Sequence, residues 1–272
     1  MHSTAYQRMM VDGVETAYVT SGEGEPLVLL HGGEGHRGQF DTFRPLLDGG
    51  IRAISYDQRD TGDTRNGPEP YDLDRLADDC AGLVDALGHE RVHVLGASFG
   101  GMIAMRLALR HPERIASLTL AGTTPSLSMT EDLTDRMEAL GSDEQEQFML
   151  DLVLSPEGRA ADPELVAVLG RALRVRPADA GARRIAAVED HDCTARLPEI
   201  TAPTLVLHGA NDPIIRPSVA EFTAARIPGA RLQLLPRIRH GITFEASHAT
   251  AALVSKFVLS HPTGSTRGTT HA

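Results

Sequence analysis

Short apolar, β-prone runs recur at Pro26 to Leu30, Ile51 to Tyr56, Val92 to Leu95, Ile115 to Ala121, Thr204 to Leu207 and Leu232 to Leu235, with helical patterns between most of them. Runs that do not alternate with polar residues read as strands buried on both faces. Strands separated by helices read as a mainly parallel sheet covered on each side. The segment Val14 to Thr20 alternates more and reads as an edge strand. The predicted class is α/β.

The alternation stops between Pro125 and Pro198, where about 70 residues carry helix signals and no convincing strand. Ser128-x-x-Glu131 and Ser142-x-x-Gln145 have the form of capping boxes, and Asp162-Pro163 sets a capping side chain before a proline suited to a first helical position. Three apolar stripes follow these starts: Met129, Leu133, Met137 and Leu140; Phe148 and Leu152; Leu165, Val168, Leu169 and Leu173. A fourth helix is expected around Ala178 to Val188, and a last one from near Thr243 to Leu259. The predicted organisation is a core of 1–124 and 199–260, a helical cap of 125–198, and a disordered tail of 261–272 that is small, polar and without periodicity.

Charge and composition narrow the partners. With 26 Lys and Arg against 37 Asp and Glu, the 272 residues carry a formal charge of −11, which disfavours nucleic acid and anionic membrane as partners. No segment approaches the length of a membrane span, and the start MHSTAYQRMMVDG has no basic stretch followed by an apolar run, so a cytoplasmic location is the default expectation. Cys80 and Cys193 form neither a metal spacing nor a disulfide framework, and no metal or cofactor is called for. Oligomeric state is left open.

The chemistry is concentrated at Val92 to Leu109, VHVLGASFGGMIAMRLAL. Here Gly96-x-Ser98-x-Gly100, followed by Gly101, lies between a predicted strand and a helix that ends near His111-Pro112. A strand that turns directly into a helix forces the serine into an exposed kink, and only glycine lets the neighbouring backbone pass so closely. A serine hydroxyl is a weak nucleophile at neutral pH. It needs a histidine to take its proton and an acid to hold that histidine in the right tautomer.

Strand Thr204 to Leu207 leads into His208-Gly209-Ala210-Asn211-Asp212-Pro213, which sets Asp212 at a strand's C-terminal end, where ligand chemistry gathers in open α/β sheets. An Asx-turn before Pro213 is the alternative for Asp212. The preceding strand leads only into Gly122-Thr123-Thr124, which has no carboxylate. His240 follows the last strand in a loop; His191, His208 and His248 read as structural, surface or pocket-lining. The amides of Phe99 and Gly33, the latter in His31-Gly32-Gly33-Glu34-Gly35, are the candidate donors to an oxyanion. A phosphate cradle is the rival reading of that glycine-rich loop, but it lacks both a following Lys-Ser/Thr and the Gly-x-Gly-x-x-Gly spacing.

Taken together, the His31–Gly33 loop, Asp57-Gln58-Arg59-Asp60-Thr61-Gly62, the turn at Ser98, Gly209-x-x-Asp212 and the late His240 resemble the α/β-hydrolase superfamily from about Val14 to Leu259. The resemblance implies an α/β-hydrolase fold with a helical cap insertion. It also implies a triad of Ser98, Asp212 and His240, oxyanion donors at Gly33 and Phe99, and structural roles for Asp57 and Arg59. Within the superfamily the chain is similar to small capped esterases and lactonases such as 3-oxoadipate enol-lactonases. The glycine loop and the Asp-Gln-Arg sequence also resemble proline iminopeptidases, and Arg59-Asp60-Thr61-Gly62 resembles aclacinomycin methylesterases. Three residues depart from the pattern: Glu34 where iminopeptidases carry proline, Asp60 where many members carry glycine, and Arg239 where glycine commonly precedes the histidine.

The expected function is hydrolysis of a small-molecule carboxylic ester or lactone through an acyl-serine intermediate, without a cofactor. The alternatives are an iminopeptidase-type aminopeptidase, a carbon–carbon bond hydrolase, and a non-catalytic ligand-binding homologue. Candidates for the substrate-binding wall are Glu34, Phe148, His191 and Phe244.

Overall fold

Leu27, Leu29, Leu30, Ile54 and Leu95 are withdrawn completely from water, as strands covered on both faces require. Each such side chain contributes about 1.5–3 kcal/mol of burial free energy. In the computed structural model, which describes residues 6–131, 133, 139–173 and 176–264, these residues belong to an eight-stranded sheet. Its strands are β1 (Gln7–Val11), β2 (Val14–Ser21), β3 (Glu25–Leu30), β4 (Ile51–Tyr56), β5 (Val92–Ala97), β6 (Ile115–Ala121), β7 (Thr204–Gly209) and β8 (Arg231–Leu235). They lie in the order β1-β2-β4-β3-β5-β6-β7-β8. The pairs β1–β2 and β2–β4 are antiparallel and the rest are parallel.

The helices described are α1 (Leu73–Ala86), α2 (Phe99–Arg110), α3 (Ser142–Val153), α4 (Pro156–Ala161), α5 (Glu164–Ala172), α6 (Ala178–Ala186), α7 (Pro217–Arg226) and α8 (Ser247–Leu259). Alternate strand residues divide between two cores. Val28, Leu30 and Val94 pack with α1, α2 and α7, whereas Leu27, Leu29 and Leu95 pack with α8 and the 3₁₀ segment carrying Phe40. The fold is the predicted α/β arrangement. All parallel strand pairs lie in the part of the sheet from β4 through β3 to β8, so their C-terminal ends open toward one edge, where Ser98 and Asp212 follow β5 and β7.

Several local expectations are corrected. Val14–Ser21 is not at the edge, because Gln7–Val11 pairs outside it; in that outer strand only Val11 is buried, which hides its pattern. Ser128 does not cap a helix. Leu127–Met129 is a short 3₁₀ turn, Thr130 is extended, and Glu131 pairs with Arg216. Met137 of that expected stripe lies outside the described residues. Helix α3 begins at Ser142 itself, with the Glu144 carboxylate accepting from the Gly141 amide, so that cap stands one residue earlier than expected. The last helix begins at Ser247 rather than near Thr243, because Gly241 to Glu245 form turns fastened to the end of α3. Within the expected tail, the His261 ring packs on Phe257 and the Thr263 amide donates to Glu25, which ties down its start; 265–272 lies outside the described residues. Among the described residues, no helix is long and apolar enough to cross a membrane.

Candidate active site

The turn at Ser98 is built from three glycines that admit no side chain. A Cβ on Gly96 would stand 2.3 Å from the Gly100 carbonyl oxygen, one on Gly100 would stand 2.2 Å from that of Leu30, and one on Gly101 would meet Thr123 at 2.5 Å. Strand and helix therefore pass at backbone contact, and the residue between them takes φ 53°, ψ −120°. A non-glycine residue is rarely found there, and such strain persists only where its surroundings over-determine it. Here the Ser98 amide donates to Ala121 O (2.9 Å), while the Ser98 carbonyl accepts from the Gly101 amide (2.8 Å) and the Thr123 hydroxyl (2.7 Å).

Ser98, His240 and Asp212 come together in a line. The Ser98 hydroxyl donates to His240 Nε2 at 3.0 Å, and His240 Nδ1–H donates to Asp212 Oδ2 at 2.7 Å. An ionised carboxylate can only accept, so this contact fixes the proton on Nδ1 and leaves Nε2 free to receive the serine's proton. Asp212 also caps its own turn, its Oδ1 accepting from the amides of Ile214 (2.9 Å) and Ile215 (3.0 Å). The Asx-turn and the contact with His240 thus use different oxygens of one side chain. Burial alone would raise the Asp212 pKa, but the His240 imidazole and the Ile215 amide outweigh it and hold the carboxyl below its ordinary value. His208 lies behind, with Nε2–H donating to Ile215 O at 2.8 Å.

Beside Ser98, the glycine loop turns back. A Cβ on Gly32 would approach Ser98 Cβ at 3.7 Å, and one on Gly33 would approach Phe99 Cβ at 3.9 Å. Neither the Gly33 nor the Phe99 amide has a hydrogen-bond partner among the described residues. Four of the loop's other backbone groups are engaged. Gln39 Oε1 accepts from the Gly32 amide (2.9 Å), Gly32 O accepts from His31 Nδ1–H (2.8 Å) and the Gly35 amide (3.2 Å), and Gly33 O accepts from Arg176 (2.9 Å).

A cavity of about 260 Å³ opens over Ser98 and His240. Met149 and Val153 from α3, Leu169 from α5, and Leu173, Ile214 and Phe244 give it apolar walls. Phe244 is thus placed as expected, but two other expected wall residues are not. Phe148 does not line the cavity, because the phase of α3 turns Met149 and Val153 toward Ser98 instead. His191 is buried elsewhere, its Nε2–H donating to Thr124 O where the chain leaves the sheet. Glu34 reaches the cavity rim, but its side chain is 68% exposed and 3.7 Å from Arg176, so its charge faces solvent and a cation rather than the open amides.

The other departures have structural work. Asp60 takes two bonds from Arg183 of α6 (2.7 and 2.8 Å) and one from Tyr71 (2.9 Å). Arg239 donates to Asp151 O, and together with the bonds from the His240 and Gly241 amides to Leu152 O and Val153 O it stitches the His240 loop to the end of α3. Asp57 binds Arg37, and Arg59 pairs with Asp79. Gln39, Arg176 and Arg184 carry no local sequence signal; they are recognised only by the long-range contacts they make.

Burial also depresses the pKa of His31, His93, His191 and His208, so all four are held neutral in the fold. The unfolded chain takes up protons near pH 6.5 where the folded one does not. The stability this confers is complete above about pH 6.5 and is lost as pH falls through the folded values. Thermal unfolding followed by circular dichroism is expected to show Tm falling as pH is lowered from about 7 to 5. A level or rising Tm over that interval would mean that these imidazoles charge inside the fold.

The family described as alpha/beta hydrolase fold matches residues 25–247. A proline iminopeptidase, PfmaB, of Pestalotiopsis fici is 31% identical over 92% of this chain and 97% of its own length. A pimeloyl-[acyl-carrier protein] methyl ester esterase of Neisseria meningitidis is 28% identical over 96% of this chain and 83% of its own. Among solved structures, a hydrolase from Pseudomonas aeruginosa PA01 superposes with a TM-score of 0.81 at 31% identity, covering 94% of this chain and 99% of that one.

Proposed function

As the chain belongs to the alpha/beta hydrolase fold family, we propose that it is a serine hydrolase that cleaves a carboxylic ester or lactone of a small, apolar acyl group. The observation that carries this reading is the unbroken line Ser98 Oγ, His240 Nε2, His240 Nδ1, Asp212 Oδ2 beside two unengaged amides. In the proposed mechanism His240 Nε2 takes the Ser98 proton as the oxygen attacks the carbonyl carbon. The carbonyl oxygen becomes an oxyanion that accepts from the Gly33 and Phe99 amides, interactions worth several kcal/mol when made only in the transition state. Nε2–H then protonates the leaving oxygen, and the acyl group remains on Ser98. A water gives its proton to Nε2, attacks the acyl carbon and frees the acid, and the proton returns to Ser98.

The helices of the 125–198 segment serve as a cap in this reading, since α3 and α5 supply the acyl-facing walls. Those walls favour an uncharged acyl group of limited size. An aminopeptidase of the iminopeptidase type is the second reading, favoured by the relative of that name. It calls for carboxylates to hold a free amine, and Glu34 is turned to Arg176 instead.

The test is a panel of 4-nitrophenyl esters from acetate to octanoate, small lactones and proline β-naphthylamide, run beside labelling with a fluorophosphonate. The expected result is a mass increase on the peptide carrying Ser98 and fastest turnover of a short- to medium-chain ester or lactone. Faster turnover of the proline amide would replace the first reading by the second. No labelling of Ser98 would remove both.

A further inference from the structure

Arg184 is the charged group that the proposed mechanism leaves unexplained. It sits on α6, is 3% exposed, and pairs with no carboxylate among the described residues. Burial lowers its pKa to about 10, so it stays cationic at neutral pH. Burying a cation without a counter-ion costs several kcal/mol. Buried ionisable groups with shifted pKa values cluster at functional sites.

Its contacts reach both donors of the proposed oxyanion hole. The guanidinium carbon lies 4.2 Å from the centre of the Phe99 ring, and that ring belongs to the residue whose amide is one donor. Nη2 donates to Gln58 Oε1 and Nη1 to Arg59 O, each at 3.0 Å. Gln58 Nε2 in turn donates to His31 O at 3.1 Å, two residues before the other donor, Gly33. Arg184 does not line the cavity over Ser98, so it has no direct contact with an acyl group there. Neighbouring charges are Arg176, which binds Gly33 O, and Glu34.

We propose that Arg184 is a positioning residue of the oxyanion hole. Through the Phe99 ring and the Gln58–His31 bond it holds both amides at their spacing, and its buried charge adds to the field that favours the oxyanion. The hole would then be complete only with α6 seated on the core, which makes the segment between β6 and β7 part of the catalytic apparatus as well as a wall. This rests on the serine hydrolase reading above.

The experiment compares wild type, Arg184→Gln and Arg184→Lys for kcat and KM on 4-nitrophenyl butyrate. It also measures inhibition by an alkyl trifluoromethyl ketone, whose addition to Ser98 leaves an oxyanion in the same hole. For Arg184→Gln, kcat is expected to fall about tenfold or more with KM within about twofold, and the inhibitor constant to rise by a similar factor. Arg184→Lys should recover part of both. A kcat within about twofold of wild type, or a loss confined to KM with unchanged inhibition, overturns the proposal.

If Arg184→Gln does not fold, Phe99→Leu keeps the amide but removes the ring under the cation. It should lower kcat and weaken the ketone in step, and unchanged values overturn the proposal. A wild type that neither turns over the ester nor takes the fluorophosphonate would instead sink the hydrolase reading, and this proposal with it.

Discussion

Ser98→Ala is expected to lower kcat for any ester the protein turns over by about 10⁴- to 10⁶-fold, leaving only what binding and the open amides can supply. The protein should remain folded. The alanine keeps the Cβ in its strained position at φ 53°, so the turn is neither relieved nor further stressed. Ser98→Gly separates the two roles of the position. It removes the same oxygen and also the steric cost of a side chain in that region, so it should be equally inactive and about 1–2 kcal/mol more stable. Initial rates and thermal melts on the three proteins check both parts. Turnover by Ser98→Ala within tenfold of wild type would dismiss Ser98 as nucleophile, and equal melting temperatures for Ala and Gly would dismiss the strain.

The strands from β3 to β7 were legible because burial on both faces leaves a continuous apolar run, and their loops could then be placed at one edge of the sheet. The residues of the Ser98–His240–Asp212 line were legible for a different reason. Each has a chemically demanding side chain in a loop after a recognisable strand, and the glycines around Ser98 stand where backbone passes backbone.

Strand β1 was illegible because an exposed edge needs only one buried residue, Val11. The cavity walls were illegible because which of Phe148 and Met149 lines the cavity over Ser98 depends on the rotational phase of α3 against the core. Arg184 shows the limit most clearly. In sequence it is one arginine of the pair Arg183-Arg184 on a polar helix, and only the fold sends the first to Asp60 and the second over the Phe99 ring.

Gly100→Ala is expected to cost about 3 kcal/mol or more, which in a protein of this size is roughly a 10 °C fall in Tm. The added methyl would lie 2.2 Å from Leu30 O, 2.6 Å from Leu30 C and 2.7 Å from His31 O. These are backbone atoms at the end of β3, so no rotamer change can make room and the strand end or α2 must shift. That shift acts on chemistry as well as stability, because Leu30 and His31 lead directly into the loop carrying Gly33. A displacement near 1 Å can cost about a hundredfold in kcat, so the fraction that folds should also be a poor catalyst. Gly170→Ala is the matched control. Gly170 lies within α5 with nothing inside 4 Å of its added methyl, so alanine there should stabilise by about 0.5–1 kcal/mol and leave kcat alone. If the two variants melt within about 2 °C of one another, the close passage of α2 over β3 is not what holds Ser98 in its turn.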